Sequence, residues 1–132
     1  MDHFARVTEL LLQLNPNKQA EYIENTLKKM ALLDNYTCFG LYENGDLLGV
    51  SSGWTTVRIY CGKQLELDNV IIDNQLQSKG LGKQFFNKIE SWALQNGYDA
   101  VSLNTYVANA RSHKFYFNQG YSILGFHFQK TT

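Results

Sequence analysis

A single proline, two cysteines and no surplus of either charge mark this sequence of 132 residues, and each scarcity closes off a class of protein. With 12 basic side chains against 12 acidic ones, no whole-molecule field gathers nucleic acid or an anionic membrane surface. Cys38 and Cys61 are too few for a disulfide framework, and no signal peptide or long apolar run precedes them. A reducing cytoplasm is the expected setting. His3, His113 and His127 fall at no metal-ligand spacing, and nothing in the sequence pairs either thiol with a histidine and an orienting partner. Neither a metal site nor a cysteine nucleophile is expected. His113 reads as a helix-surface residue and His127, between Phe126 and Phe128, as a strand histidine.

What is present is the composition of a folded domain: 44% hydrophobic, 14% aromatic and 18% charged residues, with no repeat, low-complexity tract or linker. A single domain over 1–132 is expected. Phe4, Val7, Leu10, Leu11 and Leu14 recur at helical spacing and stop at Asn15-Pro16. A second helix is expected from Asn17 as N-cap, burying Ala20, Ile23, Leu27, Met30 and Ala31 and ending before Asp34-Asn35. Residues 36–42 favour β structure, and Asn44-Gly45 fits a type I′ hairpin turn because both central residues need positive φ. The partner strand then runs from 47 to about 60, and a turn at Gly62-Lys63 leads into a third strand over 64–72.

The third strand has an uneven pattern. Leu65 and Leu67 share one face by alternation, whereas Val70 and Ile72 fall on the other with Glu66 and Asp68. Either a β-bulge near Asp68-Asn69 absorbs the slip, or the strand is buried on both faces. Beyond a polar loop, Leu81, Phe85, Ile89, Trp92 and Ala93 form a long amphipathic helix ending at Asn96-Gly97. A strand from 100 to about 106, a short helix capped by Asn109 and running through Gln119, and a closing β segment over 121–129 complete the chain. The order α-α-β-β-β-α-β-α-β predicts a mixed α/β (α+β) layer architecture.

Between the third strand and the long helix lies Gln77-Ser78-Lys79-Gly80-Leu81-Gly82-Lys83. A helix N-terminus offers unpaired N–H groups and the positive end of the macrodipole, glycines admit close approach of a ligand, and Lys79 and Lys83 add attraction for an anion. The same residues also suit an ordinary strand-to-helix turn. The third glycine of a dinucleotide fingerprint is absent, and so is the G-K-[ST] ending of a Walker A loop.

This run resembles the [RQ]-x-x-G-x-[GA] acyl-CoA signature of the GNAT superfamily of acetyltransferases, with Gln77, Gly80 and Gly82 at its defined positions. The block from Asn109 to Tyr121 is similar to the family's N-x-x-A/S-x-x-F-Y-x-x-x-G-F segment, Tyr121 standing for the final Phe. The resemblance covers roughly 36–128. It implies the GNAT fold: a mostly antiparallel central sheet splayed between its third and fourth strands, with helices on both faces. Two departures are visible: the family's first strand has no counterpart here, and one β segment follows Gly120 where two are customary. A neighbouring subunit in a homodimer is one way to complete such a sheet.

The resemblance also implies a reaction, transfer of an acetyl group from acetyl-CoA to a primary amine of a small molecule or a protein or peptide; the charge balance and the histidine spacing lead to no expectation of nucleic acid, membrane or metal. Residues 77–83 would seat the CoA phosphates, and the bulged strand at Val70, Ile71 and Ile72 would offer backbone groups to the pantetheine arm and thioester. Tyr116 takes the place of the proton donor to the leaving thiolate; a phenol is protonated at neutral pH and able to serve. Packing between Phe115 and Phe117 is its other reading. Asn109 and Ser112 share a helix face with Tyr116, so Asn109 either caps the helix or bonds pantetheine as well. Glu66 and Asp68 are the candidate bases, each equally readable as a solvated strand carboxylate. Tyr22, Tyr36, Trp54 and Tyr60 line the acceptor side or simply pack. A CoA-binding module without efficient chemistry and a cofactor-free interaction domain are the competing functions.

Overall fold

The computed structural model describes residues 3–76 and 79–132. Helices α1 (Phe4–Leu14) and α2 (Ala20–Ala31) lead into strands β1 (Tyr36–Glu43), β2 (Asp46–Arg58) and β3 (Gly62–Ile72). Helix α3 (Leu81–Gln95), strand β4 (Ala100–Leu103) and helix α4 (Ala110–Asn118) follow. The sheet order is β1-β2-β3-β4, with the first three strands antiparallel and β4 parallel to β3.

The helices divide between the two faces because the apolar side chains do. Leu10 and Leu11 of α1 and Ile23 and Leu27 of α2 close over Leu47, Val50 and Ile71. On the opposite face Phe85, Phe86, Ile89 and Ala93 of α3 close over Leu41, Leu65 and Leu67, with Phe115 and Tyr116 of α4 packed against them. Burying each such large side chain contributes about 1.5–3 kcal/mol.

The β1–β2 turn is as the sequence implies, Asn44 and Gly45 lying at φ 52 and 84. The expected cap Asn17 is not the cap of α2. Asn15 O accepts from the Lys18 N–H at 3.0 Å, the proline turn consumes residues 15–18, and Gln19 occupies the N-cap without a side-chain bond. The second hairpin turn lies at 59–61, and Gly62 already opens β3 with φ 79. β4 stops at Leu103 instead of reaching Tyr106. Among the described residues no strand precedes α1.

Residues 121–132 form neither helix nor strand, which corrects the expected closing β segment over 121–129 and the strand reading of His127. A strand exists only where a neighbouring backbone completes its ladder. Among the described residues, no strand of the sheet pairs with this segment.

Candidate functional site

The phase slip in β3 is a bulge. Ser52 pairs with Asp68 and Val50 with Ile71, so Asn69 and Val70 together face Ser51 alone. Asn69 takes a left-handed conformation at φ 53, which asparagine tolerates better than most residues. Its N–H is satisfied locally by Asp68 Oδ1 at 2.9 Å. The extra residue returns Val70 and Ile72 to the α3 face beside Leu65 and Leu67, while Ile71 turns to the α1–α2 face. Gly49 makes room for the rearranged strand, since a Cβ there would stand 2.6 Å from Ile72 Cδ1 and 2.9 Å from Ile71 O.

The bulge coincides with the splay. β4 accompanies β3 only from Gln64↔Ala100 to Leu67↔Leu103, so residues 68–72 of β3 have no strand on that side among the described residues. Where the two strands part, Asn104 Nδ2 donates to Glu66 Oε2 at 3.1 Å. That bond holds one carboxylate oxygen at the mouth of the opening. Nothing in the sequence singled out Asn104; only the early end of β4 brings it to Glu66.

Of the predicted phosphate-loop residues, Gln77 and Ser78 lie outside the described residues. Lys79 and Lys83 are exposed. Gly80 is the N-cap of α3 in a left-handed conformation, φ 77, and offers no capping side chain. The Gln84 N–H bonds Gly80 O at 3.2 Å, which leaves the amides of Leu81, Gly82 and Lys83 without partners in the helix. A side chain at Gly80 would meet open space, so the demand there is conformational. At Gly82 an added Cβ would touch the Phe115 ring at 3.5 Å, an ordinary contact. Leu81, Val70, Ile72 and Tyr116 pack against one apolar cluster, which joins the α3 N-terminus, the bulged strand and α4.

An anchoring network missed in the sequence fixes the lead-in to this loop. Arg6 on α1 donates to Asp73 Oδ2 at 2.7 Å and to Leu47 O at 3.0 Å, and also pairs with Glu9. Asp73 Oδ1 accepts from the Gln75 N–H at 3.1 Å, and Gln13 Oε1 accepts from the Asn74 N–H at 2.8 Å. The Arg6 hydrogen bond and then the Gln75 N–H hold the Asp73 carboxyl below its usual range, with burial opposing them. A depressed carboxylate contributes stability above its unfolded pKa, and that stability is lost as pH falls through the folded value. Asp73→Asn is therefore less stable than wild type near pH 7, and the gap in urea midpoint closes as pH falls below about 4.

Tyr116 is half-buried, its ring 5.6 Å from both Phe86 and Phe115 and 6.1 Å from Tyr121. Burial pushes its phenol above the ordinary value, and among the described residues its hydroxyl makes no hydrogen bond. The Tyr121 hydroxyl, by contrast, donates to Glu90 Oε2 at 2.8 Å. Asn109 is a true N-cap, its Oδ1 accepting from the Ser112 N–H at 3.2 Å. His113 lies on the surface of α4, its Nε2 3.0 Å from Tyr106 O.

On the α1–α2 face, the Tyr36 and Trp54 rings meet at 5.0 Å, and Trp54 pairs with Glu66 across the ladder. Burial pushes the Tyr36 phenol up to about 12, a hydrogen bond with Ser52 acting the other way. Tyr22 lines a cleft of about 180 Å³ with Leu11, Lys18, Met30 and Asn69 of the bulge. Tyr60, on the second hairpin turn, is exposed and joins neither group.

A splayed sheet, a bulge at the splay and open amides at the following helix are the arrangement that the resemblance to acetyltransferases implied. The family model described as acetyltransferase (GNAT) family matches residues 4–121, and the chain belongs to that family. Among solved structures it is similar to the aminoglycoside N-acetyltransferase AAC(6')-Iy in complex with CoA, at 16% identity and TM-score 0.81 over 98% of this chain and 88% of that one. It is similar to a putative acetyltransferase from Agrobacterium tumefaciens at 18% identity and TM-score 0.82, covering 98% and 94% of the two chains. Glucosamine-6-phosphate N-acetyltransferase from Arabidopsis thaliana shares 22% identity at TM-score 0.69, covering 94% and 87%. At these identities the likeness is one of fold. A search of curated sequences gives no match.

Proposed function

We propose that the chain is an N-acetyltransferase that passes the acetyl group of acetyl-CoA directly to a primary amine. The observation that carries this reading is the parting of β4 from β3 beyond Leu67, with a left-handed bulge at Asn69 in the gap. Such a gap admits an extended pantetheine arm alongside β3, and backbone groups at Val70, Ile71 and Ile72 receive it. The CoA diphosphate then falls at the α3 N-terminus, on the amides of residues 80–83 with Lys79 beside them. Asn109, with Oδ1 committed to its cap, and Ser112 flank the arm from α4.

In the reaction the amine nitrogen attacks the thioester carbonyl, the tetrahedral oxyanion collapses, and the carbon–sulfur bond breaks. Tyr116 donates its proton to the departing thiolate, a task suited to a phenol kept neutral by burial. The amine proton leaves through Glu66, directly or by one water. Glu66 is preferred over Asp68 because Asn104 anchors it where β4 leaves β3; the Asn104 amide and the Asn69 N–H each engage one oxygen of their carboxylate and leave the other. Tyr36 and Trp54 form the acceptor wall. Release of free CoA thiol from acetyl-CoA on addition of primary amines, assayed across small amines, polyamines, aminoglycosides and peptides, tests the reading. Tight binding of acetyl-CoA with no release for any acceptor class would reduce the protein to a binding module.

A further inference from the structure

We propose, resting on the transferase reading above, that the acceptor is a primary amine bearing one apolar group and no second positive charge, and that this group seats in the cleft between α2 and the β3 bulge. The cleft holds about 180 Å³ and reaches Asn69, the residue before Val70, so an amine whose tail fills it presents its nitrogen at the strand that receives the thioester. Its walls are apolar. Leu11 of α1 and Ile23, Leu27 and Met30 of α2 line it, the last three at helical spacing. Asn15 and Thr26 add little polarity, because their donors are spent on backbone: Asn15 Nδ2 donates to Leu11 O at 3.0 Å and Thr26 Oγ1 to Tyr22 O at 2.8 Å.

Charge narrows the choice further. Lys18 is the one charged residue that lines the cleft among the described residues, and it stands at an exposed rim with its Nζ 4.9 Å from the centre of the Tyr22 ring. A second ammonium on the acceptor would meet repulsion from Lys18 and find no carboxylate among the residues lining the cleft. Glu66 and Asp68 precede the bulge on β3 and do not line the cleft. Negative charge therefore serves the reacting nitrogen, and positive charge faces the tail. Size acts in the same direction, since the volume lies well below the roughly 300 Å³ at which sites for drug-sized ligands begin. One ring or a short alkyl chain fits, and a multi-ring sugar amine does not.

Thiol release from acetyl-CoA with butylamine, phenethylamine and putrescine tests this, putrescine being the butylamine chain with a second ammonium. The expected kcat/KM is about tenfold or more higher for the two apolar amines than for putrescine. Thr26→Phe fills the cleft from a half-buried position; it lowers kcat/KM for both apolar amines about tenfold, through KM, and leaves the acetyl-CoA Kd within about threefold. Lys18→Glu, at the exposed rim, narrows the gap between butylamine and putrescine about fivefold or more. Release with putrescine at or above the butylamine rate overturns the acceptor class alone. So does a gap that neither variant moves, and so does release with peptides or aminoglycosides but with neither apolar amine. Release with no acceptor of any kind overturns the transferase reading beneath it.

Discussion

Tyr116→Phe lowers kcat about a hundredfold, the low end expected for losing a positioned general acid, while the Kd for acetyl-CoA stays within about threefold. The substitution removes one oxygen and keeps the ring, so the contacts with Phe86, Phe115 and Tyr121 persist. In the proposed mechanism only the proton for the thiolate is lost. Burial holds the Tyr116 phenol above its ordinary value of 10.0, so wild type stays proton-loaded at this group across neutral and mildly alkaline pH. Steady-state kinetics and calorimetry separate the two roles: a fall in affinity with turnover intact would place Tyr116 in packing alone.

Phe86→Ala destabilises the protein by about 3–5 kcal/mol, the usual range for emptying an aromatic site in a core. Phe86 is only 2% exposed, and its ring stands 5.5 Å from Phe115, 5.6 Å from Tyr116 and 6.2 Å from Tyr121. Three side chains of the α4 region therefore lean on one side chain of α3. The cavity costs stability, and it also frees the Tyr116 ring to leave its place beside Phe115 and Tyr121. Urea unfolding reads the first effect and kcat the second. Phe117→Ala, at a ring 54% exposed on the same helix, serves as the control and shifts stability by about 0.5 kcal/mol or less. A small change for Phe86→Ala would mean that α3 and α4 are not coupled as described.

Much of the arrangement was legible in the sequence where local chemistry decides conformation. Asn44-Gly45 dictates its turn through positive φ, Asn96-Gly97 ends α3, and the displaced alternation of Leu65, Leu67, Val70 and Ile72 marks the bulge. The bulge was legible because one face must stay apolar, so a slipped pattern demands an extra residue. The motifs around Gly80 and Tyr116 supplied the family, which periodicity alone does not reach.

The misses share a different cause, since each depends on what lies across space. Asn17 has the chemistry of a cap, but the proline turn places Gln19 there instead. Residues 122–128 carry a strand pattern, but a pattern does not supply the neighbour whose backbone completes it. Asn104 and the Arg6–Asp73 pair are 38 and 67 residues from their partners, and no local signal marks either. Tyr36 was weighed toward packing, and the fold places it both against Trp54 and beside Ser52 and Asp68.

Amide chemical shifts of the isotopically labelled protein, followed while acetyl-CoA is titrated in, test the central claim most directly. Saturable movement is expected at Gly80, Leu81, Gly82 and Lys83 and along Val70 to Ile72, with 3′,5′-ADP, which lacks the pantetheine arm, leaving Val70 to Ile72 in place. Saturation of acetyl-CoA binding with those amides unmoved, and shifts clustered elsewhere, would contradict the account.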